Sequence, residues 1–262
     1  MRTILVIGIG AGNPEHLTIQ AIKAMNRASA FFAFDKGAEK SDLIELRREI
    51  CARYMEDRAY RFVEIENPQR KLGSAGYNAG VNDWHRARAA LVKASIEREL
   101  AGDGCGAFLV WGDPSLYDST LRILDLILAD NPRAFTYDVI PGITAVQALT
   151  AAHKTTLNAI GAPVTITTGR RIAGGLPPGQ GTTVVMLDDG SGLAAIADED
   201  AHIRWGAYLG TPDEVLIAGR LRDVAGQILA TRYSERARKG WIMDTCLIVR
   251  DVALKDGSDD GT

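Results

Sequence analysis

Cysteine is scarce in this chain. Cys51, Cys105 and Cys246 lie far apart and are odd in number. They form neither a disulfide framework nor a set with metal-ligand spacing, so a reducing, cytoplasmic compartment is expected. No cluster of His, Cys and Asp offers ligand spacing elsewhere, and no metal is expected. An excess of positive charge is also missing. Thirty Lys and Arg stand against 33 Asp and Glu, for a formal net charge of −3. That balance excludes a general nucleic-acid binder, which carries a basic surface. It still permits a local basic pocket for an anionic small molecule. No stretch reaches the roughly 18 apolar residues of a membrane span. The opening Met1-Arg2-Thr3-Ile4-Leu5-Val6-Ile7 is too short for a signal peptide. Internal repeats and low-complexity tracts are absent, and the polar tail at residues 255–262 is expected to fray. What remains is a chain of 262 residues, 46% hydrophobic, with material for one large domain or two smaller ones.

Glycine and proline punctuate the apolar runs. Residues 3–9 read as a buried strand, followed by Gly8-Ile9-Gly10-Ala11-Gly12-Asn13-Pro14 and then by Thr18 as a helix N-cap. Residues 107–111 are a second apolar run, broken at Gly112-Asp113-Pro114. Proline cannot donate to a sheet ladder, and glycine permits a sharp reversal or close backbone approach. Asp118 or Ser119 then caps a helix carrying Leu121, Leu124, Ile127 and Leu128. Residues 135–140 form a third strand, ending at Pro141-Gly142-Ile143-Thr144. Three such loops at one edge of a parallel sheet make a pocket. Strands are further expected at residues 60–65, 163–168, 182–187, 203–209, 215–218 and 246–252. Helices are expected at residues 42–56, 83–100, 191–198 and 221–230, with a loop over residues 67–82. Near the start of the helix at residue 83 stand His85, Arg86 and Arg88, where cations oppose the helix macrodipole.

The first glycine loop also invites a dinucleotide-binding reading, with Asp35 about 20 residues on as the ribose acid. The spacing fails, because Asn13 occupies the third glycine position and Pro14 interrupts the helix start.

The ordered set of motifs resembles the tetrapyrrole methylases, the class III S-adenosylmethionine-dependent methyltransferases. The resemblance rests on residues 8–18, Trp111-Gly112-Asp113-Pro114, Ile140-Pro141-Gly142-Ile143-Thr144-Ala145, Val185-Met186-Leu187 and Gly210-Thr211-Pro212-Asp213-Glu214. It implies an α/β fold of two α/β domains, a mostly parallel N-terminal sheet and a mixed C-terminal one, with the active-site cleft between them. The domains are placed at residues 1–157, with an enlarged region around 66–90, and at residues 158–254. Cofactor contacts implied by the resemblance fall on Pro14, Gly112, Asp113, Pro114, Tyr117, Thr144, Ala145, Met186 and Gly210. The family also implies a homodimer, a small-molecule tetrapyrrole substrate, and neither nucleic-acid nor membrane partners.

Asn82-Asp83-Trp84-His85-Arg86 and Thr168-Gly169-Arg170-Arg171 resemble one branch of the family. That branch methylates a cobalamin-pathway tetrapyrrole at carbon with loss of acetate. A substrate bearing acetate and propionate groups calls for arginine forks. Arg170 and Arg171, with His85, Arg86 and Arg88, are the substrate-binding candidates. His85 and Asp113 are the candidate bases for acetate release. Two rival readings stay open: a nicotinamide-dependent oxidoreductase, and a non-catalytic tetrapyrrole carrier.

Overall fold

The computed structural model describes residues 1–34, 41–57, 59–68, 77–179 and 181–250. The expectations for Asp35 and for the tail lie outside these residues. By its contacts the chain divides into Met1–Thr144 and Ala145–Thr262.

The first unit is a five-stranded, wholly parallel sheet. Its strands are β1 (Thr3–Gly8), β2 (Ala30–Phe34), β3 (Arg61–Ile65), β4 (Cys105–Val110) and β5 (Thr136–Ile140), in the order β3-β2-β4-β1-β5. The central strands are apolar along their whole length because both faces are covered. Helices α1 (Ile19–Met25) and α2 (Ser41–Tyr54) cover one face, where Met25, Ile50 and Cys51 pack on Leu5, Ile7, Phe31 and Leu109. Helices α3 (Tyr77–Glu99) and α4 (Thr120–Asp130) cover the other, where Val92, Ile96, Ile123 and Leu124 pack on Ile4, Val6, Phe32 and Phe108. Alternate residues of each strand therefore feed alternate cores. The cap expected at Thr18 is present: its hydroxyl accepts from the Ala21 N–H at 3.0 Å. At α4 the cap is shared. Ser119 holds the N-cap position without a side-chain cap bond, while the Asp118 carboxylate accepts from the Thr120 N–H at 2.6 Å. One expectation fails: α3 begins at Tyr77, inside the stretch read as a loop. Glycine and asparagine lower helix propensity there, but propensity is a weak prior that a longer helix overrides.

The second unit holds a mixed sheet. Its strands are β6 (Val164–Thr168), β7 (Thr182–Met186), β8 (Ala201–Ala207), β9 (Val215–Arg220) and β10 (Asp244–Arg250), in the order β6-β7-β10-β8-β9. Only β6 and β7 are parallel; the other pairs are antiparallel. Its helices are α5 (Ala145–Ala152), α6 (Gly169–Ile172), α7 (Ser191–Ala195) and α8 (Leu221–Lys239). Helix α5 packs on β8 and β10, which draws it into this unit rather than the first. Helix α8 runs past the expected stop at residue 230. Basic residues in its last turn favour the helix dipole, and Gly240 closes it in the left-handed region at φ 77°. Arg232, 7% exposed, ties α8 to the sheet. Its Nε donates to the Asp244 carboxylate at 3.1 Å, Nη1 donates to Asp189 O at 2.8 Å, and Nη2 donates to Asp188 O.

Candidate active site

Strands β4, β1 and β5 are neighbours, and their carboxyl ends are flush: Gly8 is registered with Val110 and Ile7 with Ile140. The chain leaving β1 turns to one face of the sheet and the chain leaving β4 to the other. Open α/β sheets form ligand crevices at such reversals. The three glycine-proline loops therefore meet at one edge, as their spacing predicts.

Their contact is backbone on backbone. The Gly112 N–H donates to Gly10 O at 2.8 Å, closing an isolated antiparallel bridge. A Cβ on Gly8 would stand 2.6 Å from Gly142 N and 2.7 Å from Gly112 O. No side chain fits between these loops, which leaves main-chain groups to line the edge. Gly112 has φ 68°, and Tyr117, beyond the Gly-Asp-Pro turn, stands at φ 53° and is 45% exposed.

Asp113 clamps the cluster. One carboxylate oxygen accepts from the Ser115 N–H at 2.8 Å and from the Ser115 hydroxyl at 2.5 Å. The other accepts from the Gly142 N–H at 2.8 Å and so joins the second loop to the third. Burial pushes the Asp113 carboxyl up. The bonds from the Ser115 hydroxyl, the Gly142 N–H and the Ser115 N–H outweigh it and hold the group below its ordinary value. A carboxylate so engaged is a weak base, and the geometry makes Asp113 a positioning group for the loops.

The other expected residues are placed as follows. Pro14 opens a short 3-10 turn, Pro14–His16, with the Asn13 side chain accepting from the Glu15 N–H at 2.8 Å. Thr144 ends the first unit and Ala145 begins α5. In the second unit, Met186 is the last residue of β7. Gly210 has φ 74°, and its N–H donates to the Glu214 carboxylate at 2.7 Å. Arg170 and Arg171 are exposed on the one-turn helix α6. Arg86 is exposed and lies 3.8 Å from Asp83. His85 is only 5% exposed, its ring 5.3 Å from that of Trp84. A base that activates water needs access to water, which this burial denies His85.

A second feature of the same edge brings Arg88 and Asp118, both singled out in the sequence, together with Arg47, which was not. At the ends of β2 and β4 a cavity of about 60 Å³ is lined by Arg47, Arg88 and Asp118 among apolar side chains. Arg47 stands on an otherwise ordinary amphipathic helix, and nothing in its spacing marks it.

Comparison with known proteins gives this geometry a family. Residues 3–225 match the model of the Tetrapyrrole (Corrin/Porphyrin) Methylases. The chain belongs to the tetrapyrrole methylase family. A Precorrin-6A synthase [deacetylating] of Sinorhizobium sp is 51% identical over 248 residues, which is 95% of this chain and 95% of that protein. A Precorrin-2 C(20)-methyltransferase of Sinorhizobium sp is 31% identical over 156 residues, 55% of each chain. Among solved structures, a cobalamin synthesis related protein (CobF) from Corynebacterium diphtheriae superposes with TM-score 0.81 at 39% identity, covering 95% of this chain and 99% of that one. The uroporphyrin-III C-methyl transferase from Thermus thermophilus, complexed with S-adenyl homocysteine, shares the fold at TM-score 0.56 and 18% identity, covering 94% of this chain and 97% of that one. Membership in the tetrapyrrole methylases accounts for the glycine-proline loops as a set. A dinucleotide-binding fingerprint accounts only for the first.

Proposed function

We propose that this chain transfers a methyl group from S-adenosylmethionine to C1 of precorrin-5, with release of acetate, to give precorrin-6A in the aerobic route to cobalamin. The observation that carries the reading is the 51% identity to a precorrin-6A synthase [deacetylating] across 95% of both chains. A family member of another printed activity, the Precorrin-2 C(20)-methyltransferase, matches at only 31% over 55% of each chain.

S-adenosylmethionine supplies the methyl group as a sulfonium, attacked in line by an electron-rich ring carbon. The chain's task is alignment, which contributes on the order of 7–11 kcal/mol in well-oriented systems. The Gly8, Gly112 and Gly142 backbones suit it. They are locked together without side chains, so they present fixed main-chain donors and acceptors at one edge. Gly112, Pro114, Tyr117 and Thr144 are the proposed cofactor contacts there, with Asp113 holding their loops. Pro14, Ala145, Met186 and Gly210 are proposed on the resemblance alone. Arg170 and Arg171 are proposed to bind substrate carboxylates. Both are exposed on α6, and the planar guanidinium matches the geometry of a carboxylate. The homodimer and the cytoplasmic location implied by the resemblance belong to the same reading. Among the described residues no helix is long and apolar enough to cross a membrane.

The test is a single reaction with isotopically labelled methyl donor and precorrin-5. The expected outcome is one label incorporated and one acetate released per product. A methylated product that keeps its acetyl group would assign the chain to a different methyl transfer. Absence of label from the tetrapyrrole would leave the carrier as the better reading.

A further inference from the structure

The cavity at the ends of β2 and β4 is built around charge. Arg88 is 7% exposed and sits on α3. Its guanidinium lies 3.7 Å from the Phe34 ring centroid and 4.5 Å from that of Trp84. Its Nη1 donates to the Ser119 hydroxyl at 2.8 Å, but its buried Nε has no partner among the described residues. Arg47, on α2, faces the same cavity and is anchored: Nε donates to Leu109 O at 2.8 Å and Nη1 to Leu43 O at 2.5 Å. Asp118 is the acid that interacts with both.

Two features need a ligand to explain them. The first is charge. Among the described lining residues two guanidiniums face one carboxylate, that of the exposed Asp118. Desolvation lowers the pKa of both arginines to about 10, with Asp118 opposing the shift, so both stay charged near neutrality. Arg88 is the buried one of the three, and a buried charge is ordinarily paired, because desolvation without a partner costs several kcal/mol. The second is the orphaned Nε. A buried donor left unmade is unfavourable, and an arginine presents Nε and Nη2 side by side as the fork that takes a carboxylate bidentately. The volume of about 60 Å³ admits a carboxylate with a water or two and excludes a macrocycle. β4 contributes to this cavity and also ends in the Gly112 loop, so the cavity lies at the edge that carries the loop cluster.

We propose that this cavity is an anion subsite that receives one peripheral carboxylate of the tetrapyrrole substrate, with Arg88 as the fork, Arg47 as the second cation and Asp118 setting the net charge. The proposal rests on the function argued above, and it gives that substrate a fixed rotational register on the sheet edge. Arg88 is a binding residue here, not a participant in bond making.

The experiment uses Arg88→Lys, Arg88→Gln and Asp118→Asn in the full chain, with two readouts. The first is steady-state methylation of precorrin-5. Both Arg88 variants raise KM by roughly 10- to 100-fold, the loss of about one charge-assisted bidentate contact, with kcat within about threefold. Affinity for S-adenosylhomocysteine by calorimetry stays within about threefold. Asp118→Asn lowers KM, since it removes the competing negative charge while an amide oxygen still caps Thr120. A purely structural role for the Asp118 charge would give the opposite sign. The second readout needs no turnover: thermal stability in sodium propionate against sodium chloride at equal ionic strength. Propionate stabilises the wild type, stabilises Asp118→Asn more, and leaves Arg88→Lys and Arg88→Gln unmoved. Unchanged KM in the Arg88 variants, or an Asp118→Asn protein no more responsive to propionate than the wild type, overturns the subsite. If the wild type fails to methylate precorrin-5 at all, the assigned reaction falls, and the propionate series alone decides the cavity.

Discussion

At the scale of single residues, the loop cluster is held by what glycine lacks. Gly8 has ordinary backbone angles, so its requirement does not come from φ. It comes from space: a Cβ there would meet Gly142 N at 2.6 Å and Gly112 O at 2.7 Å, both backbone atoms that cannot swing aside. Gly102 offers the contrast, with nothing within 4 Å of a Cβ. We therefore expect Gly8→Ala to force the first loop away from the second and third. It should lower the melting temperature and weaken S-adenosylhomocysteine binding at least about tenfold, because alignment is lost along with packing. Gly102→Ala should change neither. Calorimetric titration of both variants checks this, and equal affinities would show that the loops do not need their close approach. The sequence pointed to these glycines as breaks after strands, which was correct, but it could not rank them. Gly142 proves the tightest of the three, since a Cβ there would stand 2.2 Å from Gly112 O, with Gly8 next to it. Arg88 stood among the basic candidates near the start of its helix, whereas nothing marked Arg47. Burial of a charge is a property of the packed neighbourhood, and helical spacing alone does not reveal which basic residue on a charged helix faces inward.

At the scale of elements, patterning carried far where burial alternates and less far where capping or charge decides. The apolar cores of β1 and β4 lay where their composition put them, because a parallel strand buried on both faces needs a continuous run. The extent of α8 was under-read. Residues 231–239 carry charge without an apolar stripe, yet they are helical because Arg232 reaches back to Asp244 and to the chain after β7. That clamp is testable. Burial pushes the Asp244 carboxyl above its ordinary value, opposed first by the Arg232 charge. Trp205 Nε1 also donates to the same carboxylate at 2.9 Å. Removing the guanidinium leaves a buried carboxylate with only the indole donor, together with two carbonyls that have lost theirs. Arg232→Ala is expected to destabilise the chain by about 3–5 kcal/mol. The exposed partner in the i,i+4 pair on α2, Arg53 with Glu49, should cost under about 0.5 kcal/mol on the same replacement. Urea titrations of the two variants compare them directly, and similar midpoints would mean that the α8 clamp adds nothing beyond a surface pair.

At the scale of the whole molecule, the sequence yielded fold class readily: a parallel sheet first, a mixed sheet second, in the order in which the strands appear. The boundary between units was less legible, since α5 follows β5 after a short turn but packs on β8 and β10, strands far ahead in sequence. Long-range packing of that kind has no local signature. The same scale separates the two cofactor readings. A first loop of glycines is common to dinucleotide sites and to this family. The dinucleotide site differs in using a helix N-terminus as its phosphate cradle. Here Pro14 opens a 3-10 turn directly after the loop, and α1 starts only at Ile19, with its first turn capped by Thr18 rather than offered to a ligand. A pyrophosphate has no helix end to bind. The nucleoside of S-adenosylhomocysteine carries no phosphate and needs none. Ligand that binds only the folded chain stabilises it by RT ln(1 + [L]/Kd), about 2.7 kcal/mol at 100 times Kd. S-adenosylhomocysteine should therefore raise the unfolding temperature steadily with concentration, at one equivalent per chain, while NAD and NADP at the same concentrations leave it in place. A shift with the nicotinamide dinucleotides and none with S-adenosylhomocysteine would reverse the assignment of the glycine loops, whatever the similarity of the rest of the chain.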